Sequence, residues 1–224
     1  MTILALEFSS AQRSVAVVCG RAGEAVSVVS EVVESGAGGT TAFAMIRSAL
    51  HEAQLEREQI EVLAIGLGPG SYTGVRVALS IAQGWQLASR PGGIKLLGIS
   101  SAECVAAQAS AEKICGRMNV VMDAQRNEFY LAAYEISASD WSEIEPLRIL
   151  TRAEVESRAA AKEILIGPEV TRWFPGSRLV FPRAAMLGRL TLNRNHFVAG
   201  EKLEPIYLRE TNFVKAPPIR WPTY

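Results

Sequence analysis

The order of predicted elements in the first hundred residues is the feature that most constrains the fold. Three apolar, mostly Val-rich runs separated by polar turns predict an antiparallel meander, and two helices alternating with two further strands follow it. The predicted strands cover 3–8, 14–19, 25–33, 61–67 and 94–99, and the predicted helices cover 40–54 and 73–89. An order of βββαβαβ predicts a mixed sheet with helices packed on it.

The second half of the chain predicts a degenerate copy of the same arrangement. A strand pair comes first again, and shorter elements follow it. The predicted strands cover 118–123, 128–137, 144–150 and 163–166. One predicted helix is capped by Ser100 or Ser101 and ends near Ser110, a short one follows from Arg152, and a third covers 184–194. We therefore expect an α/β fold with a first lobe at 1–100 and a second lobe at 101–224 that ends in an extended tail.

Composition narrows the functional class. Twenty-three basic residues balance 23 acidic ones, and this zero net charge argues against a protein that binds nucleic acid by itself. The three cysteines form no CxxC pair, as expected of reduced thiols in a reducing compartment. The amino terminus lacks the layout of a signal peptide, and no apolar run is long enough for a membrane span. We expect a cytoplasmic protein.

The histidines give little support for metal or triad chemistry. The chain has only two, His51 and His196, and neither has a second histidine or a cysteine at ligand spacing. The sequence therefore predicts neither a metal site nor a Ser-His-Asp triad.

A glycine turn at Gly68, Pro69, Gly70 and Ser71 lies between a predicted strand and a predicted helix, which is the usual context of a phosphate loop. No lysine follows the glycines, and their spacing is not that of a GxGxxG motif. We interpret the turn as a close backbone approach that positions the following helix, with Ser71 or Thr73 as its cap.

The helix at 73–89 is apolar over roughly 200° of its surface, about twice what packing on a sheet requires. The excess predicts a second buried side, and Val77, Ile81 and Trp85 form its candidate outward ridge at i, i+4 and i+8. In the alternative interpretation, the first helix and the other lobe cover that side within the chain.

The first predicted hairpin turn carries a second set of polar groups. Glu7, Ser9 and Ser10 resemble the phosphate-and-metal hairpin of actin-like ATPases, and Asp123 ends the equivalent strand of the second half. An actin-fold kinase or ATPase with its own nucleotide site is therefore the alternative function. Against it, no glycine follows Asp123 to let a phosphate approach.

Four segments together resemble the TsaB (YeaZ) family along nearly the whole chain and in the right order. They are ILALEFSS at 3–10, GLGPGSYTGVRVALSIAQG at 66–84, MDAQRNEFY at 122–130 and EPIYLRE at 204–210. The resemblance implies a two-lobed actin-like fold and a non-catalytic subunit of the bacterial complex that makes N6-threonylcarbamoyladenosine in tRNA. The partners it implies are a TsaD-type catalytic subunit, which carries the metal-binding histidines, and a small TsaE-type ATPase.

The resemblance also implies where the partner binds. In the family, the helices equivalent to 40–54 and 73–89 pack in the subunit interface, both in homodimers and with TsaD. The interface residues expected from this are Phe43, Ile46, Thr73, Arg76, Val77, Ile81 and Trp85. We expect no cofactor on this chain alone, ATP use by the complex, tRNA contact only through the complex, and no membrane contact.

Two positions depart from the family pattern. Glu7-Phe8-Ser9 stands where the family usually has Asp-x-Ser, and Gly38-Gly39-Thr40-Thr41 stands where members often have a His-Ser pair. Both departures count against independent nucleotide binding. Whether the isolated chain is a monomer or a homodimer stays open at this stage.

Overall fold

The computed structural model describes residues 1–21, 23, 25–36, 41–90 and 92–209. Most of the Gly38-Gly39-Thr40-Thr41 segment and the expected carboxy-terminal tail lie outside the described residues. No helix in the described part of the chain combines the length and the apolar character that crossing a membrane requires.

The first lobe is a five-stranded mixed sheet in the order β3-β2-β1-β4-β5. Its strands are β1 (Thr2–Glu7), β2 (Gln12–Cys19), β3 (Ser27–Ser35), β4 (Val62–Gly66) and β5 (Lys95–Ile99), and its helices are α1 (Ala42–Glu52) and α2 (Tyr72–Ala88). β1 pairs antiparallel with β2 and parallel with β4, so the opening meander continues into a parallel edge. All seven elements occur where the sequence predicts them, with ends shifted by two residues or fewer.

Both faces of this sheet are covered by apolar clusters, and the side chains of β1 point alternately into one cluster and the other. Leu4 and Leu6 pack into the cluster beneath α1 and α2, whereas Ile3 and Ala5 pack into the cluster on the opposite face. That opposite face is covered partly by α5 (Ala184–Thr191). The first two strands are therefore almost fully buried.

The second lobe has a five-stranded sheet in the order β8-β7-β6-β9-β10, which repeats the order β3-β2-β1-β4-β5 of the first. Its strands are β6 (Gly116–Asp123), β7 (Glu128–Ile136), β8 (Trp141–Thr151), β9 (Ile164–Gly167) and β10 (Arg178–Leu179), and α3 (Ser101–Ala111) and α4 (Arg152–Ala160) pack on its two faces. In both sheets an antiparallel meander leads into a parallel strand beside its first member. The predicted fold class, two mixed sheets flanked by helices, is confirmed.

Helices α3 and α5 lie where the two lobes meet. Cys104 and Ala107 of α3 pack into a first-lobe cluster, whereas Val105 and Ala109 pack into a second-lobe cluster. Helix α5 packs on β1 and β2, although it follows the second sheet in sequence. The helix predicted at 184–194 ends earlier, at Thr191. The division into 1–100 and 101–224 stays a prediction, and α5 belongs by its contacts to the first sheet.

Candidate functional site

The glycine turn after β4 lies directly against the first hairpin turn. Gly68 and Gly70 have φ values of +80° and +138°, in the left-handed region that favours glycine. A Cβ on Gly70 would lie 2.1 Å from the Ser9 carbonyl oxygen, and Ser71 N donates to the same oxygen at 2.6 Å. Only glycine permits this backbone approach at position 70.

The amino-terminal end of α2 is pressed against the same hairpin. A Cβ on Gly74 would lie 1.9 Å from the Phe8 carbonyl oxygen, so the first turn of the helix touches the end of β1. The Ser71 side chain caps the helix by accepting a hydrogen bond from Gly74 N at 3.2 Å. The direction of α2 is therefore fixed by backbone contacts at its start.

Glu7 lies beneath this turn with its carboxylate pointing inward. It is fully buried and accepts hydrogen bonds from Ser9 N at 2.7 Å and from Ser101 Oγ at 2.9 Å. Burial raises the pKa of Glu7, and the hydrogen bonds from Ser9 and Ser101 partly offset that rise. A Cβ on Gly66 would lie 2.1 Å from Glu7 Oε2, so this glycine makes room for the carboxylate.

Ser101 joins Glu7 to the glycine turn. Its hydroxyl also accepts a hydrogen bond from Gly68 N at 3.2 Å, and its backbone N–H donates to the Gly68 carbonyl at 2.7 Å. The Ser9 hydroxyl lies beside the same carboxyl and is buried, although it falls short of a regular hydrogen bond. Glu7, Ser9 and Ser101 thus hold the hairpin and the glycine turn together.

Further polar groups of the turn between β1 and β2, and those of the equivalent turn between β6 and β7, have partners within the chain. Ser10 Oγ donates to the Gln12 carbonyl at 2.9 Å, and Ala11 N donates to Glu169 Oε1 at 3.1 Å. Asp123 accepts from Gln125 N and from Gln125 Nε2, each at 2.7 Å. Of the groups considered for nucleotide contact, Glu7, Ser10 and Asp123 therefore lie in local hydrogen-bond networks, whereas the buried Ser9 hydroxyl has no regular hydrogen bond.

Helix α2 presents one buried and one open face. Val75, Ala78, Leu79, Ile81 and Ala82 are buried on the sheet side. On the open side, Tyr72 is 57% exposed, Val77 38% and Leu87 87%. The predicted outward ridge needs correction at Ile81, which is 7% exposed because it packs into the core that α1 shares. Trp85 is half-buried at the edge of that core, and only Val77 of the three is exposed.

Helix α1 forms the other wall of a groove that runs along α2. Phe43 is 69% exposed, whereas Ile46 is buried. The groove, hereafter the α1–α2 groove, has a volume of about 1070 Å³, and its lining includes Phe43, Ile46, Ile81, Gly84 and Trp85. Nothing lies within 4 Å of the Cβ position of Gly84, which leaves the middle of the groove open.

A smaller apolar hollow of about 550 Å³ lies near the amino-terminal ends of the two helices. Its lining includes Phe43, Thr73, Arg76 and Val77. The structure thus brings the seven expected interface residues together along one face, from this hollow into the α1–α2 groove. That a partner binds this face stays a prediction.

An aromatic cluster at the edge of the hollow was not expected from the sequence. The Arg76 guanidinium carbon lies 3.8 Å from the centroid of the Tyr72 ring and 5.6 Å from that of Tyr207. The two tyrosine rings stack with centroids 5.7 Å apart. Tyr207 lies in the EPIYLRE segment, so the family resemblance marked the segment but gave no sign of its position.

Comparison with known proteins identifies the family. A family model described as TsaD, tRNA N6-adenosine threonylcarbamoyltransferase, matches residues 40–206, about three quarters of the chain. The tRNA threonylcarbamoyladenosine biosynthesis protein TsaB of Haemophilus influenzae is 29% identical over 193 residues, covering 77% of this chain and 80% of that protein. The chain belongs to the TsaB (YeaZ) branch of the TsaD family. The TsaB protein of Escherichia coli is 33% identical over 91 residues, covering 41% of this chain and 38% of that protein.

Solved structures of the TsaB (YeaZ) branch agree with this assignment. YeaZ from Pseudomonas aeruginosa superimposes with a TM-score of 0.72 at 26% identity, covering 92% of this chain and 99% of that one. A Pseudomonas aeruginosa protein described as similar to peptidase YeaZ superimposes with a TM-score of 0.73 at 25% identity, covering 93% and 99%. The two-lobed architecture therefore extends over nearly the whole chain.

Proposed function

We propose that this chain takes part in the synthesis of threonylcarbamoyladenosine in tRNA as a non-catalytic subunit that binds and activates a TsaD-type transferase. The observation that carries the proposal is the α1–α2 face of a TsaB-family chain, where Phe43, Val77 and Tyr72 remain exposed beside an open groove. Exposed aromatic and aliphatic groups of this kind are typical of protein interfaces. In the wider proposal, a TsaE-type ATPase joins the complex, ATP is used by the complex, and tRNA is contacted only through it.

The interface can be tested with substitutions that leave the core intact. Phe43→Asp and Val77→Asp place a charge on the exposed face, and each is expected to weaken the complex with the cognate TsaD-type protein by about 30-fold or more. Ile81→Asp is unsuitable because Ile81 is buried in the chain's own core. Leu179→Asp is the matched control, since Leu179 is 50% exposed on β10 in the other lobe.

Two measurements decide the proposal. Calorimetric titration of the two purified proteins gives the affinity, and reconstituted tRNA modification with and without this chain gives its contribution to activity. Equal affinity of Val77→Asp and wild type would remove the interface assignment. Unchanged tRNA modification in the absence of this chain would remove the activating role.

The alternative enzymes predict a different result. An actin-fold ATPase predicts ATP turnover by the pure chain that is lost in Glu7→Ala, and a peptidase predicts peptide release by the pure chain. Either activity, abolished by a single substitution within this chain, would overturn the non-catalytic assignment.

The exposed α1–α2 face also leads us to expect self-association of the chain when its partner is absent. Without its partner, a second copy of the chain can cover Phe43 and Val77, and we expect a homodimer at high protein concentration. Sedimentation of wild type and Val77→Asp tests this, because the substitution is expected to leave a monomer. A monomeric wild type at high concentration would refute the homodimer without affecting the TsaD proposal.

A further inference from the structure

The segment 203–209 runs from the first lobe to the second and is hereafter called the strap. Leu203 is buried in the core beneath α1 and α2, and Ile206 N donates to the Leu67 carbonyl at 2.9 Å beside the glycine turn. Tyr207 then stacks on Tyr72 at the start of α2. By these contacts the strap is attached to the first lobe up to Tyr207.

Arg209, at the end of the strap, binds the second lobe. Its Nη2 donates to the Ala124 carbonyl at 2.9 Å and forms an ion pair with Glu128. Tyr130 lies close enough for the Arg209 charge to lower its pKa, against the larger rise caused by burial. One guanidinium from the first-lobe side thus holds both ends of the hairpin turn between β6 and β7.

That hairpin turn has a backbone that needs external support. Gln125, Arg126 and Asn127 have φ values of +65°, +59° and +61°, and none of them is glycine. Three consecutive non-glycine residues in the left-handed region are disfavoured by their side chains. The hydrogen bonds of Asp123 and Arg209 therefore stabilise a conformation that the local sequence alone does not favour.

A second contact runs in the opposite direction. Glu169 follows β9 in the second lobe, and its carboxylate accepts a hydrogen bond from Ala11 N in the hairpin turn of the first lobe. The turn between β1 and β2 and the turn between β6 and β7 occupy equivalent positions in the repeated sheets. Each hairpin turn is therefore bound by one charged side chain from the side of the other lobe.

We propose that Arg209 and Glu169 are positioning residues that latch the two lobes together and fix the angle between them in the free chain. Helices α3 and α5 pack between the lobes, and the hydrogen bonds of Ser101 at the start of α3 join them near Glu7 and Gly68 only. The latch adds directional, charged contacts at the two hairpin turns.

The test measures the distance between the lobes in the full chain. Spin labels on an introduced Glu58→Cys in the first lobe and on the native, exposed Cys115 report that distance, with Cys19→Ser present throughout. Cys104 is buried and does not interfere. Wild type is expected to give one narrow distance distribution.

Arg209→Gln is expected to add a second, separate distance, with the open form increased about tenfold or more, since hydrogen bonds to a charged donor are lost. Arg178→Gln is the matched control, because Arg178 is exposed and has no ion pair among the described residues. Arg209→Lys keeps the charge and is expected to restore part of the closed population.

Glu169 supplies an independent second variant should Arg209→Gln not fold. Glu169→Ala removes the acceptor of the Ala11 N–H and is expected to open the lobes a few-fold, whereas Glu169→Gln keeps an acceptor oxygen and is expected to stay closed. A lower melting temperature with unchanged distances in both Arg209→Gln and Glu169→Ala would show a merely structural role and overturn the proposal. Separate distances in these variants, absent in Arg178→Gln, would support it.

Discussion

Replacing Gly84 by alanine is expected to stabilise the free chain, whereas replacing it by phenylalanine is expected to weaken its binding to a partner. Gly84 lies within α2 and is exposed in the α1–α2 groove. No atom lies within 4 Å of its Cβ position, so a methyl group meets no obstacle in the free chain. Alanine also restricts the unfolded backbone, which favours the helix.

The expected gain follows from helix propensity. Glycine in a helix interior costs about 0.8–1 kcal/mol relative to alanine. For a chain of this size, 1 kcal/mol corresponds to about 2–4 °C in melting temperature. Gly84→Ala is therefore expected to melt about 2–4 °C above wild type.

Gly74→Ala is the matched control on the same helix. Its Cβ would lie 1.9 Å from the Phe8 carbonyl oxygen, so the same substitution has to displace backbone and is expected to destabilise the chain by about 1–3 kcal/mol or more. Urea unfolding followed by circular dichroism measures both variants. A destabilised Gly84→Ala, or a Gly74→Ala as stable as wild type, would refute the packing described for α2.

The binding part of this prediction uses larger side chains. Gly84→Phe fills the middle of the groove, and it is expected to weaken binding to a TsaD-type partner while the chain remains folded. Calorimetric titration against the partner measures the loss, with circular dichroism as the folding control. Wild-type affinity in a folded Gly84→Phe would show that the partner does not occupy this groove.

Two further substitutions test the hydrogen-bond network around Glu7, and a third tests the core of the second lobe. Because burial raises the pKa of Glu7, the contribution of Glu7 to folding is complete below the ordinary glutamate pKa and is lost as pH rises through the raised value. The unfolding free energy of wild type relative to Glu7→Gln should therefore fall with rising pH. A difference that stays constant with pH would contradict this. Ser101→Ala leaves Glu7 and Gly68 N each without one hydrogen bond and should lower the free energy of unfolding in urea by about 1–3 kcal/mol. Ser110→Ala is the control and should lower it less, because the Ser110 hydroxyl donates only one hydrogen bond. Equal losses in the two variants would count against the network. Val155→Ala, in the buried face of α4, should cost about 1–3 kcal/mol by the same assay, and a cost near zero would show that α4 is loosely packed.

The sequence determined the elements and their order, because the spacing of apolar residues is a local property of the chain. Runs of valine and the helical repeats in the first half predicted strands and helices to within two residues. The glycine turn could also be predicted from the sequence, since Gly68 and Gly70 lie between a strand and a helix. The repeated strand order of the second lobe was expected from the order of elements alone and is present in the second sheet.

The tertiary structure decided which apolar residues remain exposed. The sequence showed that α2 is too apolar for one-sided burial, but periodicity cannot say whether the excess is covered by the same chain. Ile81 is buried in the core cluster that also holds Met45 and Ile46 of α1, whereas Val77, one helical turn earlier, stays exposed. That difference depends on the position of α1 relative to α2, which no local pattern encodes.

The tertiary structure alone also brought distant residues together. Arg209 reaches the turn between β6 and β7, about 80 positions earlier in the chain, and Glu169 reaches Ala11 across a separation of 158 residues. Sequence spacing carries no information about such contacts, because they arise only when the two lobes pack together. The sequence thus determined what the two lobes are, and the packing between them determined how they are held and which face is left open.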